Sequence, residues 1–503
     1  MRKIEIQPRF LMVLFIGATL ALLCTHLVAS TAREEKIQEG LALVRDGCFK
    51  DGEENFRRII ESDGSSPAAY FFTSFSNFIH LIYNPNDSEN RAELESNLKR
   101  VIELGELKVQ TKNDEETRLA LGTSYLLKSY YHALNREAFS AALLARKGKK
   151  VLESLLSENP QLYDAYFGLG IYNYFADRVP SIVKGIRFLL FLPGGDRKLG
   201  LSQLKQASLK SRYFNAESSL ILAEIYANRF EKNYYASFIE LSGQVDSGNE
   251  HLLMLHALAK LHMKILNYET AASLLERALS EAEKKCSDND VKLYMKFHLA
   301  KCYFLMNMAD RAIPHFQSII SMNQKCNDEL LKETLLLNSQ ALSLTGQPQR
   351  IEEIKKACPE VSKELLKSIE THMYSAQEID TYRKNLDALE LSKKGNKNDA
   401  IKMLQENLAH DSASMQTRLL LGMMYLKAND PEAAFRVLND ILISTSPVPK
   451  QIKDVAELRS GNCLDLMGKR KTAEEIYRRI ILRGNSIAKE AAYFYLKDSF
   501  GGV

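Results

Sequence analysis

The chain has 503 residues, 26% of them charged, with 67 lysines and arginines against 63 aspartates and glutamates. One hydrophobic core rarely organises more than about 300 residues, so this length requires several domains or a fold that grows in one dimension. A formal net charge of +4, with both signs mixed along the chain, excludes a general nucleic-acid binder, which needs a concentrated basic footprint.

Residues 1–32 differ from everything after them. Arg2, Lys3 and Arg9 precede an uncharged stretch, Phe10 to Thr25, which His26-Leu27-Val28-Ala29 extends. Its length lies between a signal-peptide core and the roughly 20 residues of a spanning helix. Ser30-Thr31-Ala32 offers small residues for cleavage, so an uncleaved anchor and a cleaved signal both stand. Lipidation at Cys24 is a third route, although Ala21-Leu22-Leu23 departs from a lipobox. The basic flank stays cytoplasmic, which predicts the bulk of the chain on the non-cytoplasmic side of a membrane, periplasmic in a bacterium.

From residue 33 onward the apolar spacing is helical and repeats. Gly40, Leu43, Gly52 and Phe56 set offsets that recur in Leu258, Ala259, His262, Ala271 and Leu275, and in Leu299, Ala300, Tyr303, Ala312 and Phe316. Ala388, Leu391, Ala400 and Leu404 repeat them, as do Leu421, Gly422, Tyr425, Ala434 and Leu438, and Gly461, Leu464, Ala473 and Tyr477. Leu222, Ala223, Tyr226, Tyr235 and Ile239 match with a tyrosine where a small residue belongs. Such spacing predicts two antiparallel helices per unit, with small residues where the backbones approach and large ones filling the groove beside the crossing. One hairpin cannot hide its apolar face alone, so units stack. Asn429-Asp430-Pro431 reads as a helix start, and Lys394-Gly395-Asn396 and Met467-Gly468-Lys469 as hairpin breaks. Three regions follow: irregular repeats over 33–213, regular ones over 214–370, and a C-terminal set over 381–503.

One unit departs from the rule. Gly170 and Gly200 lie 30 positions apart where the repeat expects 12, so the chain carries an apolar insertion within 179–197. It contains Phe188, Leu189, Leu190, Phe191 and Leu192, with Lys184 and Arg187 nearby. This run is too short to span a bilayer; it either packs into the solenoid or contacts a membrane interface. Asp196 reads as the cap of the following helix rather than part of a phosphate loop.

The repeated spacing resembles the tetratricopeptide repeat family, with units of about 34 residues at 216–249, 252–285, 293–326, 381–414, 415–448 and 454–487 and a degenerate one at 334–367. The resemblance implies an all-α, right-handed superhelical solenoid of helical hairpins. Residues 165–207 further resemble a segment of the eukaryotic tetratricopeptide-39 and inclusion-body-clearance family, and of uncharacterised exported bacterial repeat proteins. In such repeats the second, fifth, ninth and twelfth positions of helix A face a concave groove. Here they include Leu220, Glu224, Leu253, His256, Lys260, Met263, Tyr294, Phe297, Lys301, Phe304, Leu419, Met423 and Leu426. An apolar stripe at those positions predicts capture of a partner helix or peptide.

No nucleophile elbow, zinc-protease motif or Walker sequence occurs. His298 and Cys302 lack a third metal ligand in sequence, and His262, at an aromatic position of its repeat, reads as packing. The seven cysteines form no CxxC pair, and Cys302 lies on an apolar helix face. The expectation is a non-enzymatic scaffold without cofactor, metal, nucleic acid or small-molecule substrate, organising a protein partner at a cell envelope. The alternative is a membrane-lipid accessory protein using residues 179–195.

Overall fold

The computed structural model describes residues 33–111, 114–178, 194–248, 250–285, 287–322, 328–351 and 374–501. Every regular element among them is a helix. The leader, 1–32, and the apolar run Phe188–Leu192 lie outside the described residues. No helix among the described residues is long and apolar enough to cross a membrane. The chain divides into two compact units, one formed by Met1–Ile82 and Asp87–Asn215, the other by Tyr83–Asn86 and Ala216–Val503.

The first unit contains α1 (33–45), α2 (Phe49–Ser62), α3 (Pro67–Tyr83), α4 (Ser88–Thr111), α5 (Glu115–Leu134), α6 (Ala138–Glu158), α7 (Tyr163–Asp177) and α8 (Arg197–Lys210). The second contains α9 (Asn215–Tyr226), α10 (Tyr234–Asp246), α11 (Leu252–Lys264), α12 (Tyr268–Lys284), α13 (Asn289–Leu305), α14 (Ala309–Met322) and α15 (Asp328–Leu344). It continues through α16 (Ala376–Lys393), α17 (Lys397–His410), α18 (Met415–Lys427), α19 (Pro431–Leu442), α20 (Lys450–Leu466), α21 (Arg470–Arg483) and α22 (Lys489–Lys497).

The repeat is legible in the turns. Gly47, Leu266, Asn307, Gly395, Asn429 and Gly468 all have φ between 59° and 87°. The next N–H in each case reaches back five residues: Cys48 to Leu43, Asn267 to His262, Met308 to Tyr303, Asn396 to Leu391, Asp430 to Tyr425 and Lys469 to Leu464. This left-handed cap satisfies carbonyls that the first helix leaves open. The second helix then starts at Phe49, Tyr268, Ala309, Lys397, Pro431 or Arg470, nine residues after the small residue at 40, 259, 300, 388, 422 or 461. The paired positions Ala271, Ala312, Ala400, Ala434 and Ala473 are fully buried, as are the large residues four further on, Leu275, Phe316, Leu404, Leu438 and Tyr477. Asp430 caps α19 by accepting from the Ala433 N–H at 2.9 Å, with Pro431 first in the helix.

Two units follow the same rule with extra residues. In 216–249 the left-handed residue is Lys232 and the second helix starts at Tyr234, two positions late. The expected pair of Tyr235 and Ile239 is therefore displaced. The small residue opposite Ala223 is Ser237 and the large one is Leu241, both 2% exposed, whereas Ile239 is 50% exposed. In α5–α6 the left-handed residue, Arg136, comes 14 positions after Gly122 instead of seven, and Gly148 comes 26 after it instead of 12. A Cβ on Gly148 would lie 2.8 Å from the Gly122 carbonyl, so these two residues mark the crossing. Each helix thus gains seven residues, about two turns and 10 Å, which lengthens the hairpin while leaving its packing face in register.

Asp196 caps α8, its side chain accepting from the Leu199 N–H at 3.0 Å. The α7–α8 hairpin forms despite the insertion between its helices. In the first unit residues 211–214 return onto its opening helix. Gln38 and Arg45 donate to the carbonyls of Arg212 and Tyr213 at 2.7 and 2.6 Å. Phe214, fully buried, stacks on Phe167 at 4.7 Å and contacts Phe71, Phe72 and Phe75.

Candidate functional site

Of the helix-A positions expected to line a groove, only Glu224 and Lys260 are exposed; the others are buried or half-buried. Three kinds of contact cover them. Leu419, Met423 and Leu426 join a core with Ala456 and Cys463 of the next hairpin, and Phe304 packs on the core of Ile313, Leu342 and Tyr382. Leu220 packs on the core that joins α9–α11 to α20–α22, where Leu258, Leu261 and Ile265 share a cluster with Leu458, Leu464 and Phe494. His256 and Tyr294 meet the chain's own Tyr83, at ring distances of 6.2 and 5.5 Å, while Asn84 donates to Asp290 at 3.1 Å. Phe297 is buried beneath Lys301, which sits 5.7 Å over its ring and donates to Glu333 at 2.6 Å. Leu253 and Met263 are half-buried. The continuous solvent-facing apolar stripe expected at these positions does not form, because the superhelix folds its own later helices and residues 83–86 against them.

The closure of α9–α12 on α18–α22 has polar contacts as well. The buried Arg459 donates to the Leu266 carbonyl at 2.6 Å and to Asn462 at 3.0 Å, and Lys427 pairs with Glu269. Phe494 lies 6.0 Å from the Tyr235 ring and 5.7 Å from that of Phe238.

Beside this closure a cavity of about 370 Å³ opens among α12, α13, α16 and α18. Met306, Met308, Met424 and Leu389 form its apolar wall; Glu269, Glu276, Tyr303, Lys393, Lys397 and Lys427 supply the polar one. Tyr303 donates to Glu276, and Lys397 donates to the Lys427 carbonyl at 2.8 Å. Both the wall and the glutamate raise the Tyr303 phenol, burial most. Lys393 lies 5.4 Å over the Tyr303 ring with no ion pair among the described residues. Burial, and then Arg311 beside it, lower the Lys393 ammonium from lysine's ordinary value. Glu390, Glu276 and Glu269 act on Lys393 in the opposite sense. Lys393 and Lys397, both exposed and neither in an ion pair among the described residues, thus flank a cleft with Met306 half-buried in its wall, an arrangement suited to an anionic group flanked by apolar ones. Sequence reading did not reach this site, because its residues come from hairpin ends that are distant along the chain.

The structure also pairs two histidines that sequence left apart. His256 and His298 share a ring N···N contact of 2.9 Å. Burial lowers both below the ordinary histidine value; the His298 ring and Lys260 add to it at His256, and Lys260 and Lys301 at His298. No group of three metal-ligating side chains occurs among the described residues. Cys302 and Cys463 are buried free thiols, both pushed up to about 12 by burial. His262 fills its aromatic position, edge-on to Phe238 at 5.5 Å, with Nδ1 unbonded, and burial lowers it to about 4. Its folded value lies below the unfolded one, so the unfolded chain binds more protons between the two and stability falls as the pH drops. His262 alone is expected to cost about 2 kcal/mol between pH 7 and pH 5. Urea titrations of His262→Phe at the two pH values should show that dependence reduced, whereas an unchanged slope would refute it.

Two family models match, both described as tetratricopeptide repeat, over residues 254–290 and 294–323. No curated protein sequence matches the chain. Among solved structures, the human IFIT1 dimer with m7Gppp-AAAA aligns at 13% identity over 90% of this chain and 95% of that one, with a TM-score of 0.33. Yeast Tom70 aligns at 14% identity over 89% of each chain, with a TM-score of 0.31. Overlaps of that size carry nothing about ligands. Residues 254–290 and 294–323, in α11–α14, are thus tetratricopeptide repeats, and the same turn and crossing recur in six hairpins of the chain.

Proposed function

We propose that this protein is a non-enzymatic protein-binding scaffold that takes an acidic, apolar-flanked peptide segment in the cleft among α12, α13, α16 and α18. Helical-repeat solenoids present extended surfaces and act through them. The concave helix-A face serves the second unit's own packing, so the cleft is the docking surface in this reading. The observation that carries it is the placement of the exposed Lys393 and Lys397 beside the half-buried Met306 in one cleft, with Met308 and Met424 buried behind it. Residues 1–32 would hold or deliver the scaffold to the non-cytoplasmic side of a membrane, a placement that rests on their basic flank and apolar stretch. The lipid-accessory alternative through residues 179–195 rests on a segment of which 179–193 lie outside the described residues.

A photo-crosslinking amino acid at Met306, compared with one at Ile443, 67% exposed and away from the cleft, tests the reading in the native cell. One discrete protein adduct is expected at 306 and none at 443, and Lys393→Glu should remove it. Equal adducts at both positions, or an adduct indifferent to Lys393→Glu, would refute the cleft.

A further inference from the structure

The tip of the lengthened α5–α6 hairpin is apolar. Leu134 and Phe139 are each 60% exposed, Tyr130 and Leu143 each 44%. Register across the hairpin is set by Ser129, whose hydroxyl donates to the Ala141 carbonyl at 2.7 Å. Phe78 of α3 meets the Tyr130 ring edge-on at 5.6 Å, which brings Ile82, one turn further along α3 and 56% exposed, to the same side. A soluble surface tolerates scattered apolar residues; five large ones gathered on one projection mark a contact site.

The chemistry of that contact is set by the charges behind the tip. Between residues 126 and 150 there are six basic side chains and one acidic, Glu137. Glu137 is engaged by His132; Glu106 pairs with Lys147 at 3.5 Å and Glu153 with Lys149 at 3.5 Å. Arg146 and Lys150 are exposed and carry no ion pair among the described residues. Phe139, Leu143, Arg146 and Lys150 follow at intervals of four, three and four, so they form one stripe along α6, apolar at the tip and cationic behind it. Arg136 sits in the turn itself, exposed, with φ 63°.

From this we infer that the tip of the α5–α6 hairpin is a peripheral docking surface for an anionic lipid bilayer. Apolar and aromatic side chains enter the headgroup boundary while the lysines and arginines behind them meet lipid phosphates and carboxylates. A protein partner would favour a contact depleted in lysine at its centre and acidic at its facing rim. The inference is independent of the cleft: it uses different residues in the other unit.

The chain contains no tryptophan, so Phe139→Trp in the full protein gives a reporter local to the tip and blind to residues 1–32. With vesicles of phosphatidylcholine containing phosphatidylserine, its emission is expected to shift to the blue and to be quenched by brominated lipid. Pure phosphatidylcholine should give little of either, and Ile443→Trp no change with either vesicle. Leu134→Trp supplies a second reporter should the first perturb the hairpin. Adding Arg146→Glu and Lys150→Glu should weaken the response at least about tenfold while the melting temperature holds, since both side chains are exposed. An unshifted emission at both reporters, an equal response to neutral vesicles, or a blue shift that grows with protein concentration without lipid would overturn the lipid assignment; the last would point to self-association.

Discussion

Gly200→Ala is expected to destabilise the first unit by about 3 kcal/mol or more, an unusually large effect for one added methyl group. A Cβ at Gly200 would lie 2.5 Å from the Tyr174 nitrogen and 2.8 Å from the Gly170 carbonyl oxygen. Both are backbone atoms of α7, and Tyr174 is fully buried, so the only relief is separation of the two helices. That separation would strip contacts from Leu204 and Ala207, which are also fully buried. Gly243→Ala is the control: it lies within α10, and a Cβ there meets nothing within 4 Å. It should stabilise by up to about 1 kcal/mol through helix propensity. Thermal and urea unfolding of the two variants should move in opposite directions, and a Gly200→Ala protein as stable as the parent would show that α7 and α8 do not cross there.

Asp465→Ala should cost about 3–4 kcal/mol, because a side chain with no solvent exposure gathers the C-terminal hairpin around itself. Arg470 donates to both carboxylate oxygens at 3.1 and 3.0 Å, the Tyr477 hydroxyl donates at 2.8 Å and the Phe500 N–H at 3.0 Å. Arg470 is 31% exposed, which discounts its share, but the tyrosine and the backbone N–H have no water to replace the lost acceptor. Tyr477→Phe, which removes that bond and the one the hydroxyl accepts from the buried Asn462 at 3.0 Å but keeps the ring, should cost less, about 2 kcal/mol. Denaturant midpoints rank the two, and limited proteolysis should cut Asp465→Ala first near Phe500. Equal stability of parent and Asp465→Ala would mean the carboxylate is not the anchor of this end.

Whether a contact is legible in the sequence depends on its range along the chain. The pairs 259/271, 300/312, 388/400, 422/434 and 461/473 were readable because both members belong to one hairpin and their separation is set by helix pitch and a short turn. The misplacement at Tyr235 and Ile239 has the same origin in reverse. Two residues added in the turn before Tyr234 shift the second helix, and spacing alone does not reveal where in a unit an addition falls. The seven-residue additions to α5 and α6 keep the packing face in register, so spacing within the unit says nothing of whether Leu134 and Phe139, at their tip, are covered.

The groove positions illustrate the limit. His256, Phe297, Leu419 and Leu426 are buried, and what covers several of them lies far away in the chain. Tyr83 reaches His256 and Tyr294, and Phe494 reaches Tyr235 and Phe238. The sequence by itself therefore determined the helical hairpin, its caps, its crossing residues and the stacking of one unit on the next, all consequences of local periodicity. Only the tertiary structure decided where the superhelix closes, which inner faces the chain keeps for itself, and which cleft and hairpin tip remain open. Each stacking step adds a small rotation, and only their accumulation over many units brings distant helices together.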